Sequence, residues 1–247
     1  MSALWRGSGG GAPGELVLSE RDALERSSAP PGGAWAGVGF AAVLLFFYLI
    51  AGPTGSGGRL VAAGSADAGA ILRGSPWRAV TALTLHTDST HLVANMVAGG
   101  LLVGAAGWTF GGGLASLLVV VTGAMGNAAN AALRGPPHVA VGASTAVLGA
   151  VGVLAGSAAV RAHRAEGAAR RWGWWVPIAA GFGLLAVLGA DTRSDLGAHL
   201  CGFVAGVGFG ALVAGVCPEP PTTRIQRTLA VVALLALGAA WGLALAS

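Results

Sequence analysis

The sequence predicts an all-α polytopic membrane protein, and its composition, its long apolar runs and its glycine content each indicate that class. The chain has 247 residues, of which 54% are hydrophobic and only 10% are charged. Soluble domains carry about 25% charged residues. Several apolar runs are long enough to cross a hydrocarbon core of about 30 Å as helices. The 43 glycines suit such helices, because small residues let membrane helices pack closely.

Seven apolar segments predict seven membrane-spanning helices after a polar N-terminal tail. Residues 1–34 are rich in Gly and Pro and lack the apolar core of a secretory signal, which predicts a mostly disordered cytoplasmic tail. The segments lie at 35–51, 90–107, 112–133, 142–160, 174–190, 196–216 and 227–246. Residues 52–84 are interrupted by charges and predict an external loop in the membrane interface. Residues 217–226 predict a cytoplasmic linker to a seventh helix within 227–247.

The arginines predict the orientation of these spans. If the seven spans alternate, nine of the 14 arginines fall on the side of the N-terminal tail and five on the other side. Cytoplasmic segments of membrane proteins are enriched in basic residues. The N-terminus is therefore predicted to be cytoplasmic and the C-terminus external. Basic residues that are all arginine, with abundant Ala and Gly, are typical of GC-rich bacterial genomes and predict a bacterial inner (plasma) membrane.

Charge and cysteine content exclude several other functions. The net charge is +4, but the chain has no basic and aromatic patch of the kind that binds nucleic acid. Cys201 and Cys217 lie on one predicted helix, roughly 24 Å apart along its axis, so they cannot form a disulfide within it. Neither cysteine has metal-ligand spacing. We therefore expect no nucleic-acid partner, no metal and no cofactor.

The first polar group at membrane depth is the segment LHTDSTHLVANM, residues 85–96. His91 and Asn95 are four residues apart, so they lie on one face of the second predicted span. Both side chains can donate hydrogen bonds to a common point. A pair of this kind is also common as a purely structural contact between membrane helices, and this segment alone favours that interpretation slightly.

The second group is PPHVAVGASTAVLGAVG, residues 136–152, in which Ser144 lies in the first turn of the fourth span. Backbone N–H groups in a first turn have no partner within the helix. These donors and the positive end of the helix dipole suit a developing oxyanion. Serine at a helix start is more often a simple cap, so this segment alone does not establish a nucleophile.

The third group is His199, in DLGAHLCGFVAGVGFG, where glycines at every fourth position follow the histidine. These are Gly202, Gly206 and Gly210, and the fourth span offers Gly149, Gly152 and Gly156. Rows of small residues allow two helices to approach closely. If the two rows pack together, they bring Ser144 and His199 within reach of each other. The alternative is a structural histidine paired with Asp195, four residues earlier.

Three motifs, taken in chain order, resemble the rhomboid intramembrane serine proteases. They are GSPWRAVTALTLHTDSTHLVANM, VGASTAVLGAVG and AHLCGFVAG, on the second, fourth and sixth predicted spans. The resemblance covers roughly residues 60–216. It implies a rhomboid-like six-helix core, residues 35–216, with one additional C-terminal transmembrane helix (6+1).

The resemblance also implies roles for individual residues. Ser144 would be the nucleophile and His199 the general base, and His91, Asn95 and the Ser144 N–H would stabilise the oxyanion. Gly142, Gly202 and Gly206 would pack helices near the site. Two positions depart from the family pattern: Thr145 replaces a glycine after the nucleophile, and Leu148 stands where an aromatic residue often packs on the base.

These residues together predict an intramembrane serine endopeptidase that uses a Ser–His dyad without a cofactor. The family resemblance implies substrates that are single-span membrane proteins, cleaved near the external face of the bilayer. The alternative is a catalytically inactive rhomboid-like protein that binds transmembrane partners. A small transporter or channel would need ionisable groups along a path across the whole bilayer. The polar groups here cluster near one face instead.

Overall fold

The computed structural model describes residues 32–165, 173–188 and 195–247, and most of these residues are helical. The helices are α1 Gly33–Ala51, α2 Arg59–Gly64, α3 Ala68–Leu72, α4 Arg78–Thr81, α5 Ser89–Phe110, α6 Gly112–Arg134, α7 Ser144–Arg164, α8 Val176–Leu188, α9 Leu196–Val216 and α10 Thr223–Ala246. The 3-10 turns are Thr54–Ser56 and Ala82–Thr84, and the strands are β1 Ala66–Asp67 and β2 Val139–Ala140. This architecture confirms the predicted all-α polytopic class.

Six helices in the described ranges are long and apolar enough to cross a membrane: α1, α5, α6, α7, α9 and α10. The fifth predicted segment, 174–190, forms α8, which has 13 residues. A helix of that length extends only about 20 Å, less than the hydrocarbon thickness of about 30 Å. Residues 189–194 lie outside the described residues. The count of six core spans plus one therefore stays a prediction.

The N-terminal boundary of the first span differs from the prediction. Residues 1–31 of the predicted 1–34 tail lie outside the described residues, but Gly33 and Ala34 already belong to α1. Gly32 before them has a φ of 92°, in the left-handed region that glycine tolerates. The helix thus begins where the backbone conformation changes, two residues before the apolar run that suggested its start.

Helix α7 lies at the centre of the described bundle. About 72% of its spanning window is buried, a larger share than in any other of the six long helices. Its most extensive contact is with α9, and it also packs against α5, α6 and α8. The first turn of α7 is therefore surrounded by protein, although the helix is composed mainly of Ala, Gly and Val.

The segment between α1 and α5 is more ordered than the predicted interfacial loop. It contains three short helices, none of spanning length, and β1 pairs antiparallel with β2. The Arg78 guanidinium donates to the carbonyls of Ala62 and Ser65, at 2.9 and 3.2 Å. Asn127 of α6 donates to the Ala79 carbonyl at 2.9 Å. These bonds form because folded backbone carbonyls removed from water need donors, and they hold the segment on the bundle.

Helix α10 is attached to the bundle by side chains near its two ends. Near its start, Gln226 donates to the Phe110 carbonyl at 2.7 Å and accepts from the Leu114 N–H at 2.9 Å. Near its end, the buried Trp241 donates to the Thr84 hydroxyl at 3.2 Å. Its ring stacks on Phe47 with the centroids 5.3 Å apart. The predicted seventh helix, 227–246, thus packs against the described part of the core.

Candidate active site

Ser144 and His199 lie at the beginnings of two neighbouring helices and bond to each other. Ser144 is the first residue of α7, and His199 lies in the first turn of α9. The Ser144 Oγ and the His199 Nε2 are 2.7 Å apart, within hydrogen-bond distance. Only 2% of the His199 surface is exposed. A neutral imidazole at this distance can accept the serine proton.

The two predicted glycine rows bring these residues together. A methyl group at Gly206 would overlap with the Gly149 carbonyl oxygen, and one at Gly202 would overlap with the Thr145 carbonyl oxygen. Further along the two helices from Ser144 and His199, a methyl group at Gly156 would overlap with the Val207 backbone. The α7 and α9 backbones therefore touch directly along this glycine seam. Only glycine permits that approach, which places the first turns of both helices side by side.

Gly142 differs from the other predicted packing glycines. It lies in the loop before α7 with a φ of 126°, and its N–H donates to the Ala82 carbonyl at 2.9 Å. A side chain there would collide with the His91 ring and contact the Ser144 hydroxyl. Gly142 therefore does not join the seam; instead it gives the His91 ring the space to lie close to Ser144.

The His91 ring is oriented by the residues that begin α5. Asp88 accepts a bond from the His91 backbone N–H at 2.8 Å, and this bond is the main reason that the pKa of the Asp88 carboxyl is lowered. The Thr87 hydroxyl lies 3.1 Å from the His91 Nδ1. The same hydroxyl donates to the Asp88 carboxylate at 3.1 Å, so its oxygen is the acceptor in the contact with His91. These contacts hold the His91 ring next to Gly142 and Ser144.

Asn95 lies one turn below His91 and is almost fully buried, with 5% of its surface exposed. Its amide nitrogen donates to the His91 carbonyl at 3.0 Å. An amide group has two N–H donors. One is used within the helix, so the second remains for a ligand. The expectation that Asn95 donates toward a reacting oxygen stays a prediction.

No carboxylate completes a triad among the described residues. The His199 Nδ1 is buried without a hydrogen-bond partner. The sequence left open a pairing of His199 with Asp195, but the Asp195 carboxylate bonds instead to His138, Asn130 and the Ala198 N–H. No pattern in the sequence predicted the bonds to His138 and Asn130. The orientation of the His199 ring therefore rests on packing and on its bond to Ser144.

His86 is also buried, although the sequence suggested an ordinary loop residue at this position. Its side chain is fully buried, and its ring lies 5.2 Å from the His91 ring in an edge-on arrangement. Burial lowers the pKa of His86 to about 4, and the neighbouring His91 contributes to that shift. His86 is therefore neutral at neutral pH and brings no positive charge next to His91.

The two departures from the family motifs are buried in the helix packing. Thr145 is buried, and its methyl group faces Gly126 and Gly202 in the helix interfaces. Leu148 is buried in an apolar cluster with Val151 and Phe203. Both side chains therefore serve as packing groups beneath the site, where they contact neighbouring helices.

Fold and site define a polytopic helical membrane protein with a serine hydroxyl bonded to a buried histidine at the ends of two closely packed helices. The family model of the Rhomboid domain matches residues 73–216, more than half of the chain. The chain therefore belongs to the rhomboid family, as the motifs predicted, and rhomboids are generally intramembrane serine proteases. No curated protein matches the chain.

Proposed function

We propose that the chain is an intramembrane serine endopeptidase in which Ser144 is the nucleophile and His199 the general base. The observation that carries this proposal is the 2.7 Å distance between the Ser144 Oγ and the His199 Nε2. A serine hydroxyl is a weak nucleophile unless a positioned base removes its proton. Family membership supports the same chemistry, because the rhomboid family is generally proteolytic.

In the first half-reaction, His199 takes the Ser144 proton as the Oγ attacks a peptide carbonyl carbon. The resulting tetrahedral intermediate carries a negative oxygen. The proton on His199 then passes to the peptide nitrogen, the C–N bond breaks, and the amine product leaves. An ester between Ser144 and the remaining acyl chain is left behind.

In the second half-reaction, His199 takes a proton from water, and the hydroxide oxygen attacks the ester carbon. Collapse of this intermediate returns the proton to Ser144 and releases a carboxylic acid. No cofactor is needed. The His91 ring, the second N–H of Asn95 and the Ser144 N–H are the groups we assign to the oxyanion. Donors fixed in advance stabilise such a charge without reorganising during the reaction.

Family membership supports transmembrane proteins as the substrate class, and the position of the dyad supports cleavage near the external face. Both residues occur in the first turns of helices of spanning length, at the ends that the arginine pattern assigns to the external side. We assign to the protein substrates that are single-span membrane proteins, which reach the site from the bilayer. Cleavage would occur near the external end of the substrate helix, where that helix can unwind.

The test is cleavage of a single-span substrate by the purified full-length protein in liposomes. Ser144→Ala and His199→Ala should each abolish cleavage, because each removes one half of the dyad. Ser116→Ala is the matched control: it also removes a hydroxyl from a long helix, but that hydroxyl bonds the Gly112 carbonyl of its own helix, at 2.8 Å. Undiminished cleavage by folded Ser144→Ala protein would contradict the dyad.

A further inference from the structure

We propose that Asn130, His138 and Asp195 form a positioning cluster that holds the first turn of α9, and with it His199, against the loop that leads to Ser144. The inference rests on the proposed protease function. None of the three residues belongs to the dyad or to the oxyanion donors. Their effect on the reaction would pass through His199, so they are positioning residues.

The Asp195 carboxylate uses its two oxygens for different tasks. Its Oδ1 accepts a bond from the Ala198 N–H at 3.1 Å and so caps α9. Its Oδ2 lies 2.6 Å from the His138 Nε2 and 2.6 Å from the Asn130 Nδ2. One carboxylate thus joins the start of α9 to the loop after α6 and to α6 itself. Bonds to a charged acceptor are stronger than neutral ones.

The position of the cluster relative to the dyad gives it this role. His138 lies six residues before Ser144, and Asp195 lies four residues before His199. The bond between His138 and Asp195 and the bond between Ser144 and His199 therefore connect the same two pieces of chain. His138 itself is fixed, because its carbonyl accepts the Ala68 N–H at 2.9 Å beside the β1–β2 pair.

His199 needs such a restraint because the first turn of a helix is where fraying begins. The glycine seam packs α7 and α9 along their length, but a row of glycines has no side chains that interlock. The cluster supplies directional bonds at the end of the helix that carries the base. The third residue, Asn130, is 2% exposed and approaches from α6, so the cluster is anchored in the bundle.

The test compares variants of the full-length protein, with cleavage rates measured across a range of concentrations of one single-span substrate. Asp195→Ala should lower kcat about 100-fold, the scale expected when a reacting group is displaced by about 1 Å, while KM changes little. Asp195→Asn retains one acceptor oxygen and should fall between Asp195→Ala and the wild type. Glu219→Ala is the control, because it removes an exposed carboxylate beyond α9 and should match the wild type.

His138→Ala should lower kcat about tenfold. Because His138 acts through Asp195, the double variant His138→Ala/Asp195→Ala should be no slower than Asp195→Ala alone. If Asp195→Ala protein does not fold, the kcat values of Asp195→Asn and His138→Ala test the proposal. A wild-type kcat in these folded variants, in an enzyme that Ser144→Ala inactivates, would overturn the proposal.

Amide hydrogen exchange separates this inference from the proposed function. Exchange in the first turn of α9 should rise in Asp195→Ala and His138→Ala, and stay at the wild-type level in Glu219→Ala. If the wild-type protein does not cleave substrate, the protease proposal fails, and the cluster's role as a positioning device for catalysis fails with it. Increased exchange would then show a purely structural restraint. Unchanged exchange in both variants would overturn the restraint itself.

Discussion

The α7–α9 pair and helix α10 are attached to the bundle in opposite ways. In the glycine seam, two backbones touch directly, and an added methyl group would overlap with a carbonyl oxygen of the opposite helix. Helix α10 is instead held near its ends by Gln226 and Trp241. Between these anchors, α10, α1 and α6 line a largely apolar cavity of about 610 Å³. The interface between α7 and α9 is therefore closed by backbone contact, whereas α10 has spare space along its middle.

The difference indicates that the two regions have different requirements. A Ser–His bond depends on tenths of an ångström, and direct backbone contact fixes helix separation with the fewest adjustable atoms. An outer helix needs only to remain attached. Gln226 and Trp241 keep α10 attached, since removing either side chain would leave backbone or hydroxyl groups without a hydrogen-bond partner.

The largest effect expected from this comparison is at Gly206. The Gly206→Val variant should lose at least about 100-fold in cleavage, because the added carbons would force α9 away from the Gly149 carbonyl. Gly208→Val is the matched control. Gly208 is two residues along the same helix, and a side chain there would meet no atom within 4 Å. Initial rates on the single-span substrate, with thermal melting as a check on folding, distinguish the two. Equal rates would show that the seam does not position the dyad.

His86 lies next to Thr84, whose hydroxyl bonds Trp241 of α10, and next to the His91 ring beside the dyad. Its burial predicts that the stability of the protein is sensitive to acid. Its pKa is about 4 in the folded protein, against 6.5 without the fold. The unfolded state binds the proton first as pH falls, so the free energy of unfolding should decrease between pH 6.5 and 4, by about 3 kcal/mol. Above pH 6.5 this contribution should be constant.

Unfolding by denaturant in micelles at several pH values measures this dependence. The His86→Gln variant should show a shallower decrease than the wild type over that window. The control is His163→Gln, at the exposed end of α7, which should leave the slope unchanged. The same slope in His86→Gln and wild-type protein would show that His86 does not titrate as a buried group.

At the α10 attachment, Gln226→Ala should cost about 2 kcal/mol of unfolding free energy, because it leaves the Phe110 carbonyl and the Leu114 N–H without their partner. Cleavage at a temperature where the variant is folded should change little. Thr228→Ala is the control, since the exposed Thr228 hydroxyl bonds the Arg224 carbonyl of its own helix. A loss of cleavage as large as that of Gly206→Val would remove the distinction between the two regions.

Trp241→Phe should also cost about 2 kcal/mol. The ring that stacks on Phe47 is retained in part, but the bond to the Thr84 hydroxyl and the indole edge that packs against Gly64 are lost. Thr84 still donates to the Thr81 carbonyl at 2.7 Å. Trp108→Phe, at a side chain that is 59% exposed, should have no measurable effect. Melting temperatures of the two variants, measured in the same detergent, test this difference.

The sequence predicted that Ser144 and His199 lie together because a membrane span has few polar groups, so each one is informative. The spacing of Gly202 and Gly206 was enough to predict which helix faces meet. Other features depend on contacts between distant segments. The bond between His138 and Asp195 joins residues 57 positions apart in the sequence, and each looked like a solvated loop residue. The burial of His86 likewise depends on how the segment after α4 folds.

The most direct test of the proposed Ser144–His199 dyad is the site of modification by a serine-reactive fluorophosphonate, read by peptide mass spectrometry. We expect one adduct, on Ser144, in the folded wild-type protein, and its loss in His199→Ala because the hydroxyl then lacks its base. Failure of the folded wild type to react would favour the inactive, partner-binding alternative. Equal modification of Ser144 in wild-type and His199→Ala protein would contradict the dyad.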